Sequence, residues 1–200
     1  MTRAAKRFLS LVALAALTGG CAHTPPIEDA YTFTERKSIL ESLNGWDLSG
    51  RIAVDTGERA FQGRFRWRQI EDTIDLSIRG PLGAGLLEIA GPTGELTVRS
   101  RGETLRLTDP ETELSQLLGW WLPVESFRAW LIGFPDPMFP ATTSFDPEDR
   151  LRLFEQRLWQ ISYESYQIAQ GVVLPERIDL AHRDLELRVT VDRWQVLDAE

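Results

Sequence analysis

Chemistry has few places to start in this 200-residue chain. Of its two histidines, His23 stands just before Pro25-Pro26, and His182 shares the alternating face of Ile178 and Leu180, which reads as a strand-end side chain rather than a base. Carboxylates are plentiful, 30 Asp and Glu against 22 Lys and Arg, but nothing marks a general acid among them. There is no Gly-x-Ser-x-Gly elbow and no metal-ligand spacing. Gly80-x-x-Gly83-x-Gly85 has the glycines of a phosphate cradle, yet no Lys-Ser/Thr pair follows and the next segment reads as a strand. The inventory points away from an enzyme, a metal centre and a bound cofactor. What remains is the thiol of Cys21, the single cysteine of the chain.

The setting of that thiol is informative. Arg3, Lys6 and Arg7 precede an apolar run from Phe8 to Leu17, and Thr18-Gly19-Gly20 follows. A charged region, a short apolar core and small residues form a secretory signal, too short for a spanning helix. One cysteine cannot make an internal disulfide, and acylation removes the anomaly of a free thiol in an oxidising compartment. Thr18-Gly19-Gly20-Cys21 resembles a bacterial lipobox, with Thr18 where Leu is usual. The resemblance implies cleavage of residues 1–20 and a triacylated Cys21 whose only prosthetic group is that lipid. Ala22, in place of Asp, resembles the sorting pattern of outer-membrane lipoproteins. Losing residues 1–20 removes three basic and no acidic residues, taking the net charge from −8 to −11. Such a surface repels phosphate backbones and excludes nucleic acid as a partner.

The remaining chain reads as one domain, residues 34–200, on a tether of residues 21–33. Thr24-Pro25-Pro26-Ile27-Glu28-Asp29 is extended, and the whole tether reaches about 20–30 Å. Thr34 is placed to cap a helix running to Leu43. Alternation of apolar and polar residues then predicts strand after strand: Trp46 to Val54, Phe61 to Trp67 beyond a turn at Asp55-Thr56-Gly57-Glu58, Ile74 to Ile78, Leu86 to Ala90, Glu95 to Ser100 and Thr104 to Thr108. A helix follows, capped by Thr108 with Glu111 or by Asp109 with Pro110, and ends at Gly119. A second helix carries Phe127, Trp130 and Leu131 at i, i+3 and i+4 and closes at Gly133. Beyond a weak strand near Thr143 come Leu151–Glu155, Trp159–Gln167, Arg177–His182 and Leu185–Val191, with Trp194 near the end. About eleven antiparallel strands and three helices, two inserted mid-sheet, predict a mainly β (α+β) fold. The sheet should be strongly curled or barrel-like, with the inserted helices as plug or lid.

Three features leave two readings each. The loop Gly80-Pro81-Leu82-Gly83 cannot continue either flanking strand. Its Leu82 either folds back onto the core or protrudes as an apolar tooth, buried only in a membrane or a partner. Arg64, Arg66 and Arg68 share one face of a strand, as a solvated row or as a docking stripe for an acidic partner. Seven tryptophans and nine phenylalanines either fill an ordinary core or line an apolar cavity for a hydrophobic ligand. The candidates for such a lining are Phe65, Trp67, Ile78, Leu86, Phe127, Trp130, Leu131, Trp159, Ile161 and Tyr163.

Together with Cys21, the segments Gly50-Arg51-Ile52-Ala53-Val54, Phe65-Arg66-Trp67, Gly80-Pro81-Leu82-Gly83, Leu122-Pro123, Trp130-Leu131-Ile132-Gly133-Phe134-Pro135, Trp159-x-Ile161-x-Tyr163-x-x-Tyr166, Leu174-Pro175 and Trp194 resemble, in order, the LolB family of outer-membrane lipoproteins. The acidic stretch from Ala141 to Glu155 departs from the family pattern. The resemblance implies an unclosed eleven-stranded barrel with a helical lid over an apolar acyl-chain cavity. It also implies insertion of cargo lipoproteins into the outer membrane from its periplasmic side, a donor in the periplasmic carrier LolA, no nucleotide, and contact with phospholipid through Leu82. Under this reading Arg64, Arg66 and Arg68 are candidates for carrier docking, and the protein works as a lipid-anchored monomer. The competing expectation is a scaffold lipoprotein of an outer-membrane assembly complex, with a filled core.

Overall fold

The computed structural model describes residues 32–81, 85–183 and 185–197. Cys21, the leader, most of the tether, Leu82, Gly83 and the side chain of Leu86 lie outside the described residues.

The first helix, α1 (Phe33–Glu41), starts two residues earlier than expected. Its cap is Thr32, not Thr34: the Thr32 hydroxyl accepts from the Glu35 N–H while the Glu35 carboxylate accepts from the Thr32 N–H at 2.8 Å. Three residues beyond Thr34 stands Lys37, which cannot accept that reciprocal bond; three beyond Thr32 stands Glu35. Strands β1 (Gly45–Asp55), β2 (Ala60–Ile70), β3 (Thr73–Arg79), β4 (Gly85–Pro92), β5 (Leu96–Ser100) and β6 (Glu103–Leu107) then run as a meander. Helices α2 (Pro110–Leu118) and α3 (Val124–Ile132) interrupt it. Strands β7 (Thr142–Phe145), β8 (Leu151–Gln156), β9 (Trp159–Ala169), β10 (Val172–His182) and β11 (Leu185–Leu197) form a second meander.

All eleven strands belong to one sheet in the order β6-β5-β4-β3-β2-β1-β11-β10-β9-β8-β7, every neighbouring pair antiparallel. First and last strands therefore meet in the middle, and the edges are β6 and β7, which do not pair with each other. The barrel is unclosed, and the segment carrying α2 and α3 connects its two edges. At α2 the alternative cap holds: Asp109 accepts from Thr112 N–H with Pro110 in the first turn, where its fixed φ suits the helix and its missing N–H is no loss. Gly119 and Gly133 end the two helices in the left-handed region, at φ 80° and 110°. Strand β10 begins at Val172, five residues before the expected start. Pro175 breaks the periodicity there, but a bulge at Pro175/Arg177 absorbs it and the Pro175 carbonyl accepts the Trp194 indole N–H at 2.8 Å.

The acidic stretch between β7 and β8 has a local role. Asp149 accepts the Phe33 N–H at 2.7 Å, its carbonyl accepts from Arg36, and Asp146 accepts from Arg150 Nε at 2.7 Å. That turn seats the start of α1.

The central pairing tolerates little change. Gly50 lies at a bulge between β1 and β11, where a Cβ would stand 2.0 Å from the Thr190 carbonyl oxygen. Gly50→Ala is expected to destabilise by about 3 kcal/mol in urea unfolding, an overpacked backbone contact. Gly94→Ala, with nothing within 4 Å of the added carbon, should stay within about 0.5 kcal/mol of wild type.

Candidate functional site

Period-two alternation puts Ile52 and Val54 of β1, Phe65 and Trp67 of β2, Ile74, Leu76 and Ile78 of β3, Leu87 and Ile89 of β4 and Val98 of β5 on the concave face of the sheet. Opposite them stand Leu117 and Leu118 of α2, Trp120, Leu122, and Phe127 and Leu131 of α3. Between the two layers is a cavity of about 650 Å³, within the usual range of small-molecule sites. Several lining side chains, among them Ile52, Val54, Leu76, Ile78 and Leu87, are only half-buried, as expected where the facing layer leaves space.

The polar lining residues are Thr56 and Arg59 from the β1–β2 hairpin and Ser100, Arg101 and Glu103 from the β5–β6 turn. Both turns lie at the same end of the strands. Between them in the sheet, at that same end, runs the connection from β3 to β4, which carries Gly80 and Pro81 and, beyond the described residues, Leu82. The far end is occupied by an aromatic row across β2, β1 and β11: Trp67 to Trp46 at 5.7 Å and Trp46 to Trp194 at 5.8 Å between ring centroids.

Of the ten residues expected to line a cavity, Phe65, Trp67, Ile78, Phe127 and Leu131 do so. Leu86 is on β4, its side chain outside the described residues. The other four, Trp130, Trp159, Ile161 and Tyr163, are buried and are not among the residues that line this cavity. They belong to the opposite half, where α3 lies against β8 to β10. There Phe127 meets Trp159 edge-on at 5.4 Å, Trp130 lies 6.1 Å from Phe154, and Phe154 lies 6.0 Å from Tyr163. Buried hydrogen bonds fix this half: the Trp130 indole donates to Gln156 Oε1 at 2.7 Å, Gln156 Nε2 donates to the Asp136 and Phe139 carbonyls, and the Tyr163 hydroxyl donates to the Trp130 carbonyl at 2.6 Å. Burial holds the Tyr163 hydroxyl well above its ordinary pKa, so it stays a donor. The barrel is thus hollow under β1–β5 and solid under β8–β10.

Helix α2 hangs over the hollow half from a fastening on the solid one. Arg157, in the β8–β9 turn, donates to Glu111 Oε2 at 3.1 Å and to Ser126 Oγ at 3.1 Å, and lies over the rings of Phe139 at 4.2 Å and Trp121 at 4.9 Å. Trp121 donates to the same Glu111 at 3.0 Å. This fastening escapes sequence reading, because Glu111 stands there only as one of two alternative cap partners and Arg157 in no motif. His182, stacked on Trp159 at 5.2 Å, has its pKa pushed below the ordinary histidine value by burial and by Arg183.

The arginine row is not uniform. Arg66 is paired with Asp47, its Nε 3.1 Å from both carboxylate oxygens. Arg68 stands opposite Asp75 on β3, and Arg64 stands between Arg51 on β1 and Arg79 on β3.

Comparison with known proteins agrees with this architecture. A family profile described as outer membrane lipoprotein LolB matches residues 44–194. The outer-membrane lipoprotein LolB of Nitrosococcus oceani is 35% identical over 190 residues, covering 94% of this chain and 94% of the relative. That of Stutzerimonas stutzeri is 33% identical, covering 91% and 92%. Among solved structures, a LolA superfamily protein from Nitrosomonas europaea aligns with a TM-score of 0.54 at 13% identity, covering 82% of this chain and 94% of that one. A DUF1329 family protein from Desulfovibrio piger aligns at 0.56 with 6% identity, covering 86% and 94%. At those identities the structural likeness speaks for the fold alone.

The division into hollow and solid halves has a direct test. Trp130→Ala should cost about 3–5 kcal/mol in denaturant unfolding, because it opens a void in a packed cluster. Leu76→Ala, at a half-buried lining position, should cost less than about 1.5 kcal/mol.

Proposed function

The chain belongs to the LolB family of outer-membrane lipoproteins, and from that premise we propose that it receives acylated lipoproteins from a LolA-type periplasmic carrier into the 650 Å³ cavity and releases them into the inner leaflet of the outer membrane. The observation that carries this reading is the position of the apolar cavity: its polar rim and the β3–β4 connection lie at one end of the strands, and the aromatic row stands at the other. Acyl chains held against Phe65, Leu76 and Leu131 leave through the end that carries the β3–β4 connection.

The energetics suit a passive hand-over. Each acyl CH₂ exposed to water costs about 0.8 kcal/mol, so a lipoprotein with several chains does not cross an aqueous space alone. Cavity must meet cavity. Direction then comes from rising affinity, carrier to receptor to bilayer, because a binding site shifts cargo only by its differential affinity.

In this scheme residues 1–20 are a cleaved leader, Cys21 carries the anchoring acyl chains, residues 21–33 are the tether, and residues 34–200 form the single cargo-binding domain. Burying Leu82 in lipid contributes about 1.5–3 kcal/mol, enough to orient the cavity mouth and too little to hold the protein on a membrane. Stable attachment needs the chains on Cys21. The fastening of α2 through Glu111 and Arg157 leaves its Leu117-Leu118 end over the cavity, where incoming chains would displace it.

Two variants separate the steps. A Cys21→Ala mature chain should take cargo from the carrier in solution but not deliver it efficiently to vesicles. Leu82→Glu should leave the fold and cargo acceptance unchanged and reduce delivery into liposomes at least about tenfold. Transfer is read by co-purification of cargo with each protein and by its flotation with vesicles. Failure of the soluble chain to take cargo overturns the cavity reading, and normal delivery by Leu82→Glu overturns the role of the loop.

A further inference from the structure

On the convex face of the sheet, Arg51 of β1 stands directly opposite Arg64 of β2, and Arg64 directly opposite Arg79 of β3. Side chains in such positions are about 5 Å apart at Cβ, and like charges placed there destabilise a sheet. Three arginines in one lateral line are the more unexpected in a chain with a formal charge of −8.

The neighbouring positions show how the fold treats cations elsewhere on this face. One step toward the far end, Arg66 is neutralised by Asp47. One step further, Arg68 faces Asp75. On β11 Arg188 is paired with Asp179, and on β5 Arg99 lies near Glu88. Within the lateral line only Arg51 has an acidic partner, Asp192 at 2.9 Å. Arg64 and Arg79 are exposed, and no ion pair involving either occurs among the described residues. Two guanidinium groups without an ion pair among the described residues thus stand side by side on the convex face. Arg79 is the last residue of β3, directly before Gly80 and Pro81.

We propose that Arg64 and Arg79, with Arg51 beside them, form a cationic docking surface for the anionic phosphate groups of phospholipids, holding the mouth of the barrel against the bilayer. This deepens the reading above and rests on its placement of the mouth toward the membrane. Charge complementarity favours lipid as the occupant: a basic cluster near an anionic leaflet gains about tenfold or less per arginine, falling off within a Debye length. Arg79 directly precedes the connection that carries Leu82 and Arg64 stands beside it, so a lipid phosphate that reaches the end of β3 meets the guanidinium pair. Guanidinium groups suit the task, since each presents a planar fork to phosphate oxygens.

The test uses the mature-length chain, residues 21–200 with Cys21→Ala, which contains every helix and strand found among the described residues and carries no acyl anchor. Co-sedimentation is measured with vesicles of phosphatidylcholine alone and with vesicles containing phosphatidylglycerol. The wild-type chain should bind the anionic vesicles more tightly, and the preference should weaken with added salt. Arg64→Gln/Arg79→Gln should lose it by roughly tenfold or more, with circular dichroism and unfolding midpoint unchanged. The control is Arg99→Gln/Arg106→Gln, which removes the same net charge from β5 and β6. Equal loss in the control, or wild-type binding by the Arg64/Arg79 variant, overturns the proposal. Unchanged vesicle binding with impaired cargo uptake from the carrier assigns the row to a protein partner instead and overturns it too. If the wild-type chain binds neither vesicle while still accepting cargo, the docking surface is wrong and the cargo cavity stands.

Discussion

Strands β1 and β11, the first and last among the described residues, pair over eleven residue positions with one bulge at Ser49/Gly50, and this pairing decides what the rest of the sheet can be. Because the chain's two strand ends meet in the middle, its sheet edges come from the middle of the sequence, at β6 and β7. The polypeptide joining those edges has to span the open side of the barrel. It does so as α2 and α3, so the covering layer is a direct consequence of topology rather than an appended element. Both edges are short, five and four residues, which limits their use as templates for unwanted strand pairing.

That covering layer is asymmetric. Helix α3 is buried along nearly its whole length and joins Phe154, Trp159 and Tyr163 in a cluster where the Trp130 indole, Asp136 and Ser126 are tied together by hydrogen bonds with Gln156 and each other. The indole N–H of Trp159 is the one buried side-chain polar atom among the described residues without a partner. Helix α2 is anchored at Glu111 and buries Leu114, while Leu117 remains exposed above the concave face. A rigid half that carries a loosely covered hollow half gives the molecule a receptacle without loss of a well-packed core.

Much of this architecture was legible in the residue pattern. Period-two alternation located the strands, glycines at 119 and 133 ended the helices, and the inward face of Phe65 and Trp67 on β2 followed from the same alternation. The misassignments share a physical cause. On β9, Trp159, Ile161 and Tyr163 alternate just as Phe65 and Trp67 do on β2, and alternation reports only which face a side chain occupies. Whether the space opposite is filled depends on where α3 settles, a long-range packing fact with no local signature. The Thr34 cap failed for a local reason, the position of the glutamate three residues on. The paired and unpaired members of the arginine row were likewise invisible until the register of β1, β2 and β3 set Asp47 and Asp75 beside two of them and arginines beside the third.

The central claim is that the hollow half admits an acyl chain. It is tested most directly by titrating the mature-length Cys21→Ala chain with a fluorescent long-chain fatty acid and following energy transfer from Trp67 and Trp120, both of which line the cavity. The account predicts saturable binding at one internal site, abolished when Val98→Trp fills the space while the fold persists. Absence of a saturable site, or binding that the filled variant retains unchanged, would contradict it.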